Sequence, residues 1–522
     1  MKMNNPVGFK DLKKKENVVT LLFFIGMIIF LILIMITNIF HYFYKINADI
    51  AAETVLCKLI WDSKELIPDS WYIGNEARIV STPNVAALFY GLTENMALSV
   101  GITCCIMTIL IVISAFYAGK RLGFTRKENV LFVFLGLAVP MVFDVLEVLY
   151  LFACYYSVHV IAFFFTLGVY GDVLKEKKIK KGSMAAGILF ALVLGIQGVR
   201  GILVLYAPLF GIEIIRNGYR FYCKRKAERA DYDISLWVIA LLLVSFLGTA
   251  FPVSAGQSVS RNIRNGFSKL FTEVIPNMGK ALGFDDANVI GKICLAVLLL
   301  VTLYLLIDIL FRMFRKKEME PVDWSFLVVC SSPAVTALML AFTTTDTTER
   351  YHFMLGYTMA FAAILAFRKI HFSRFLEDAG CLLVVLLAVS TISTVYVPVL
   401  QAGETEDRDE YEVVRFLEEN GFSISYSTFF NANIMTTMAN GRIRIAPVAS
   451  LDKMSVCRSL SSSDWYVPNM PFHERTAYII PEGELENFEV FMASHAEELQ
   501  FETQIGRFMI YSSDDNLSNL GY

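Results

Sequence analysis

The sequence predicts a polytopic α-helical membrane protein of about eleven transmembrane helices, continued by a small C-terminal α/β domain on the extracytoplasmic side. Three observations carry that reading. Hydrophobic residues make up 56% of the 522 and charged residues only 18%, where a soluble domain is about a quarter charged. Long stretches hold no Asp, Glu, Lys or Arg, whereas the part from Glu404 to Tyr522 has an ordinary soluble composition. Lys and Arg collect in alternate loops, the asymmetry that marks cytoplasmic loops. The chain therefore divides into a membrane part, residues 1–400, and an outer domain, residues 401–522.

The first apolar stretch, residues 18–40, is uncharged and exceeds the roughly 20 residues needed to cross about 30 Å of hydrocarbon. Lys13, Lys14 and Lys15 precede it as in a signal peptide, but it is too long for a signal core and no small-residue cleavage site follows. It reads as a retained first helix that leaves the cytoplasm. Further apolar spans lie near residues 95–118, 129–143, 149–171, 184–197, 201–215, 234–253, 290–313, 324–342, 353–367 and 380–400. With the N-terminus inside, the inner loops hold Lys120, Arg121, Arg126 and Lys127, then basic runs within 175–181, 216–229, 312–317 and 368–374. Every inner loop is basic, so an odd number of spans leaves the C-terminal domain outside a multi-pass protein of the cell membrane.

Two outer loops, 41–94 and 252–288, are too long to be mere connectors. In the second, Ile263, Phe267, Leu270, Phe271 and Val274 recur at helical spacing against Arg261, Arg264 and Lys269 within 259–282. That pattern predicts a helix lying in the interface, either capping the bundle or gating substrate. In the outer domain, 411–420 reads as an amphipathic helix closed by Gly421, 424–430 as a strand and 433–439 as a helix. Strands at 442–448, 477–480 and 507–511 follow, with a helix at 485–495 before the last.

The nine cysteines fall mostly inside apolar spans and form no CxxC pair, so they read as small core residues, with Cys57 and Cys457 as the one conceivable disulfide. No basic stripe with interleaved aromatics is present, which argues against a nucleic-acid partner. The sequence has no P-loop, HExxH, GxSxG or Gly-rich dinucleotide turn, so no nucleotide cofactor is expected. The six histidines are scattered and read as structural.

Candidate chemistry sits at the outer edge of the membrane. Asp49 and Glu53 are four apart directly after the first span, which places both carboxylates on one helical face. A carboxylate there is able to take a proton from a hydroxyl; the plain alternative is a solvated acidic face. Asp144 and Glu147, between two spans, form a second acidic pair, with Asp144 expected at or just inside the hydrocarbon boundary facing a wet cavity, or paired structurally with Arg200. Asp49, Glu53 and Asp144 together offer oxygen ligands to a divalent cation such as Mg²⁺, Mn²⁺ or Ca²⁺. Arg200, in the turn 197–201 between two short spans, is expected to reach inward. Arg350, followed by Tyr351 in the outer turn 343–352, offers a planar fork suited to phosphate, the alternative being an anchor to lipid headgroups.

These residues resemble those of the GT-C glycosyltransferases, and more closely the bacterial members of the mannosyltransferase-related group that use polyprenyl-phosphate sugars. The shared pattern is a first span, an outer loop with an early acidic residue (Asp49, with Glu53), the run Pro68, Asp69, Ser70, Trp71, Tyr72, a later Arg350 and Tyr351, and an α/β tail. It departs from the pattern in that Glu53 stands four positions from Asp49 where many relatives have adjacent acids, and in His352 where an aromatic often follows. The resemblance implies an inverting transfer on the outer face, from a polyprenyl-phosphate-linked sugar entering from the membrane lipid to a hydroxyl of a glycan, lipid or protein acceptor of the cell envelope. It implies Asp49 as base, with Glu53 beside it, and Arg350, Tyr351, Arg200, Asp144 and Glu147 around the donor. Two readings of other classes stand beside it. A secondary transporter or lipid-linked glycan flippase would use Asp144 and Glu147 for ion coupling, but no internal repeat is visible. A non-catalytic membrane scaffold would use only the outer domain.

Overall fold

Among the residues described by the computed structural model (9–178, 180–251, 260–370, 374–402, 408–466 and 469–518), eight helices are long and apolar enough to cross a membrane. They are Asn17–Phe40, Met96–Leu122, Ser157–Glu176, Ile202–Tyr222, Arg229–Thr249, Val289–Phe314, Pro321–Ala341 and Phe375–Gln401. The remaining three apolar segments also form helices, Arg126–Ala138, Lys181–Gln197 and Met354–Lys369. Each is short: the first has 13 residues, a rise of about 20 Å. Pro140, which has no N–H to continue the ladder, follows closely on it. Arg126–Ala138 and Met354–Lys369 are buried along most of their length and meet through Phe124, Phe132 and Phe361, with Phe132 and Phe361 ring centroids 5.8 Å apart. Helices enclosed by others need not match the hydrocarbon thickness.

Pro252, Val259, His371 and the domain junction near Glu404 lie outside the described residues. The second long loop is helical over residues 266–281, with one stretch of wider π-type turns. Phe267, Phe271 and Ile275 are exposed on one side and Val274 is buried on the other. The first long loop folds into the helices Ala48–Ser63 and Thr82–Thr93, joined through strand β1 (Trp71–Tyr72).

The C-terminal part is an α/β layer. Strands β2 (Ile424–Thr428), β3 (Arg444–Ser450), β4 (Ser455–Val456), β6 (Thr476–Pro481), β7 (Gln500–Ile505) and β8 (Phe508–Ser513) form one sheet of order β4-β3-β2-β6-β8-β7. β2 pairs in parallel with β3 and β6, and the other pairs are antiparallel. Asp409–Glu419 ends at Asn420 and Gly421, the glycine at φ 71°, where a residue without Cβ is least strained. Two contacts tie this layer to the first long loop. β1 pairs with β5 (Ser461–Ser462), with Trp71 edge-on to Trp465 at 6.2 Å. The helix Phe429–Met438 lies on Ala48–Ser63, and Asn440 beyond it accepts from Met96 N at 2.9 Å and donates to Glu94 O at 2.7 Å. Cys57 and Cys457 are both free, so the disulfide between them does not form.

Candidate active site

Asn47 starts the site. Its side-chain oxygen accepts from Ile50 N at 2.9 Å and caps the helix Ala48–Ser63, while its Nδ2 donates to Glu147 Oε2 at 3.0 Å. Asp49 and Glu53 then follow one helical turn apart, and both border a cavity of about 90 Å³. Arg200, Arg350 and Tyr351 line the same cavity, with Glu76, Arg78, Tyr155 and Tyr156. The C-terminal α/β layer closes one side with Leu460, whose N–H donates to Tyr72 O at 2.7 Å.

The charges are interleaved. Arg350 Nη1 donates to Asp49 Oδ2 at 2.8 Å and to the Tyr155 hydroxyl at 3.1 Å, with Glu147 Oε1 at 3.8 Å. Arg78 donates to Glu53 Oε1 at 2.7 Å and to Glu76 Oε2 at 3.1 Å. Arg200 pairs with Glu76 and lies over the Tyr156 ring at 3.8 Å and the Tyr351 ring at 5.0 Å. The buried Nε of Arg350 and Oε2 of Glu53 have no hydrogen-bond partner. Four carboxylates (Asp49, Glu53, Glu76, Glu147) thus face three guanidinium groups.

Burial decides how these acids titrate. Burial raises the Glu147 carboxyl to about 7, the nearby charge of Asp144 adding to it, against the Tyr155 hydrogen bond and Arg350. Glu53 shifts up for the same reason, with Arg78 opposing. Burial alone would raise Glu76, but Arg200, His159 and Arg78 hold it at about 2. A folded-state pKa above the unfolded value makes stability fall as pH rises through that interval. Unfolding in detergent is therefore expected at a higher temperature at pH 5 than at pH 8. Glu147→Gln should remove most of that difference; an unchanged pH dependence in this variant contradicts the assignment. The opposite contribution of Glu76 is lost only between about 4.5 and 2, outside this window.

The local chain explains the convergence. The helix expected from residue 149 begins only at Ser157. Phe152 (φ 57°) and Cys154 (φ 50°) adopt left-handed backbone, and the irregular segment turns Tyr155 and Tyr156 into the cavity. Asn38, buried in the first span, holds this segment by donating to Tyr150 O and accepting from Phe152 N, both at 2.8 Å. Asn38→Ala leaves both backbone groups unpaired and is expected to cost about 2–4 kcal/mol, read as a lower unfolding midpoint. Gln197 joins the other two arms: its backbone carbonyl accepts from Ala77 N at 3.0 Å and its side chain from Val80 N at 2.8 Å. The Arg350 turn is held by the helical segment 266–281, through Lys269 to Thr343 O at 3.0 Å and Asn277 to Thr347 Oγ1 at 2.7 Å.

The structure corrects three expectations. Asp144, in the helix Phe143–Leu149, is exposed and lies outside the cavity lining, because the break at Pro140 ends the straight span from which its depth was counted. Arg200 pairs with Glu76, not with Asp144. Asp49, Glu53 and Asp144 do not converge on a cation: Asp49 and Glu53 face Arg350 and Arg78, and among the described residues no group of three or more His, Cys, Asp or Glu is placed to hold a metal ion. Glu147 stands just behind the cavity, bonded to Tyr155 at 2.9 Å. Sequence reasoning missed Glu76, Arg78, Tyr155 and Tyr156. The first two lie in an irregular loop that carries no periodic signal.

No family model matches the sequence, and no curated protein matches it. Solved structures do match in fold, among them two crystal structures of ArnT from Cupriavidus metallidurans. The one bound to undecaprenyl phosphate has a TM-score of 0.55 at 9% identity, over 96% of this chain and 99% of that one. The apo structure has a TM-score of 0.52 at 10% identity, over 95% and 98%. Identity this low carries nothing about the mannosyltransferase-related group. The chain is a multi-pass α-helical membrane protein that shares the fold of ArnT, with a small C-terminal α/β layer.

Proposed function

We propose that this protein is a membrane glycosyltransferase that moves a sugar, hexosyl or pentosyl, from a polyprenyl-phosphate donor to an acceptor hydroxyl on the outer face, with inversion. The observation that carries the reading is the Asp49–Arg350 pair at the cavity, an acid and a phosphate-type ligand group joined at 2.8 Å. The fold likeness to a protein crystallised with undecaprenyl phosphate supports the donor class.

The pairing suggests a sequence of events. Arg350 has a spare Nε donor, and a lipid phosphate draws the guanidinium away from Asp49. Asp49, released, takes the proton of the acceptor hydroxyl as its oxygen attacks the anomeric carbon. The bond from that carbon to the phosphate oxygen breaks, and its electron pair leaves on the phosphate, where Arg350 and Arg200 stabilise the growing charge. Tyr351 and Tyr156 keep Arg200 in place by stacking. Leu460 gives the outer domain a hand in shaping the acceptor side.

Donor binding adds negative charge where acids already outnumber arginines. Glu147, which titrates at about 7, is placed to take up a proton in compensation. Donor affinity should therefore fall as pH rises from 6 to 8, and Glu147→Gln should flatten the slope; a pH-independent affinity in the native protein removes Glu147 from this role. A divalent cation would have to displace Arg350 from Asp49 and recruit Glu147. Transfer measured with chelator and with added Mg²⁺, Mn²⁺ or Ca²⁺ decides whether one takes part.

The reading requires the cavity and the outer domain to face away from the cytoplasm. A reporter active only in the cytoplasm, fused after Tyr522, should be silent; a strong signal reverses the topology and the site with it.

A further inference from the structure

The helix Ser157–Glu176 starts beside the candidate active site and ends, about 30 Å away by helical rise, at a second and larger cavity of about 430 Å³. This cavity lies between the ends of four membrane helices and is lined by Lys177, Arg216, Arg220, Arg225 and Lys226. Tyr219 and Trp324, with ring centroids 5.8 Å apart, line it as well. The acids do not neutralise all of this charge. Arg216 is buried and committed to Glu213 at 2.7 Å and Asp231 at 3.0 Å. Asp231 also takes Arg220 at 2.8 Å and Lys177 at 3.4 Å. Glu228 is engaged in a capping box with Asp231. Arg225 and Lys226 form no ion pair among the described residues, and Glu318 is the one lining acid left to oppose them. Lys224, Lys316 and Lys317 stand close in sequence to the lining residues Arg225 and Glu318.

We infer that this cavity binds the phosphate of an anionic phospholipid headgroup, at the end of the bundle opposite the proposed sugar-transfer site. A basic recess between membrane helices, at the level of their ends, is where anionic headgroups are held. The cavity is wide enough for a phosphate and its glycerol. Arg225 and Lys226 supply charge, and the Trp324 and Tyr219 rings offer the amphipathic surface that prefers the headgroup level. The same phosphate chemistry would suit a soluble anion, and the source is separable by experiment. The inference does not depend on the reaction at the outer site.

Trp324 gives the test. The purified full-length chain is reconstituted into phosphatidylcholine vesicles containing phosphatidylglycerol brominated on its acyl chains, or into vesicles in which only the phosphatidylcholine is brominated. The brominated anionic lipid should quench tryptophan fluorescence more strongly, and Trp324→Phe should abolish the difference. Arg225→Ala with Lys226→Ala should weaken the apparent affinity for the anionic lipid by roughly thirtyfold. Both residues are exposed in a loop, so folding should survive, and an unchanged circular dichroism spectrum checks it. Millimolar inorganic phosphate should not compete. Equal quenching by the two lipids, or an unchanged affinity in the double variant, overturns the inference; competition by inorganic phosphate assigns the site to a soluble anion and overturns the lipid.

Discussion

Asp49→Asn is expected to lower sugar transfer by about 10²- to 10⁴-fold, the usual loss when a general base is removed. The substitution keeps the size and one acceptor oxygen for Arg350, so the helix Ala48–Ser63 and its Asn47 cap should be retained. Donor binding should survive or tighten, because Arg350 loses a competing carboxylate. That combination, lost turnover with retained donor affinity, separates a base from a residue that merely shapes the loop. Glu53→Gln should cost less, since Glu53 faces Arg78 and supports the wall of the cavity. An equal loss would indicate that the two acids act as one unit. Near-normal transfer by Asp49→Asn in an active preparation removes Asp49 from the mechanism.

The second large effect is on the donor. Arg350→Ala removes the group shared by Asp49, Tyr155 and Glu147 and should weaken donor binding by about 10- to 10²-fold, the range for losing a part-buried hydrogen bond to a charged group. Arg350→Lys restores the charge but cannot reach Asp49, Tyr155 and a phosphate at once, so it should recover only part of the loss. Its failure to recover any would point to geometry over charge. Binding measured with the polyprenyl phosphate alone, without sugar, isolates the contact in question. An unchanged affinity in Arg350→Ala would make the residue an anchor at the interface.

How far the sequence reached depended on periodicity. All eleven apolar segments are helices, because a run without charge leaves the backbone no other means of pairing its polar groups in lipid. Their lengths were less legible: Pro140 shortens one span, and the left-handed Phe152 and Cys154 delay another, and neither break disturbs the hydropathy pattern. Those breaks are where the site was misjudged. Asp144 was placed at depth by counting along a helix that ends before it, and Tyr155 and Tyr156 looked like part of a span. In the C-terminal layer the buried strands β2, β3, β6 and β8 were readable, whereas the edge strand β7, more exposed and polar, was not. Asp49, Glu53, Arg200, Arg350 and Tyr351 were singled out as charged or aromatic residues at membrane edges, and they do meet around one cavity. Glu76 and Arg78 were not, since an irregular loop gives no period from which to infer a face. Their partnership with Glu53 and Arg200 is a tertiary fact, fixed by Gln197 reaching across from another helix.

The central claim is that a polyprenyl-phosphate sugar is consumed at the Asp49–Arg350 cavity. The most direct test incubates the purified protein, in vesicles, with a panel of radiolabelled polyprenyl-phosphate sugars and an envelope extract as acceptor, and follows label in free polyprenyl phosphate, donor and product. The account predicts that one donor is turned over, releasing polyprenyl phosphate and moving label to an acceptor, and that Asp49→Asn stops the release. Movement of intact donor across the membrane without turnover, unaffected by Asp49→Asn, would contradict it and identify a carrier built on the same fold.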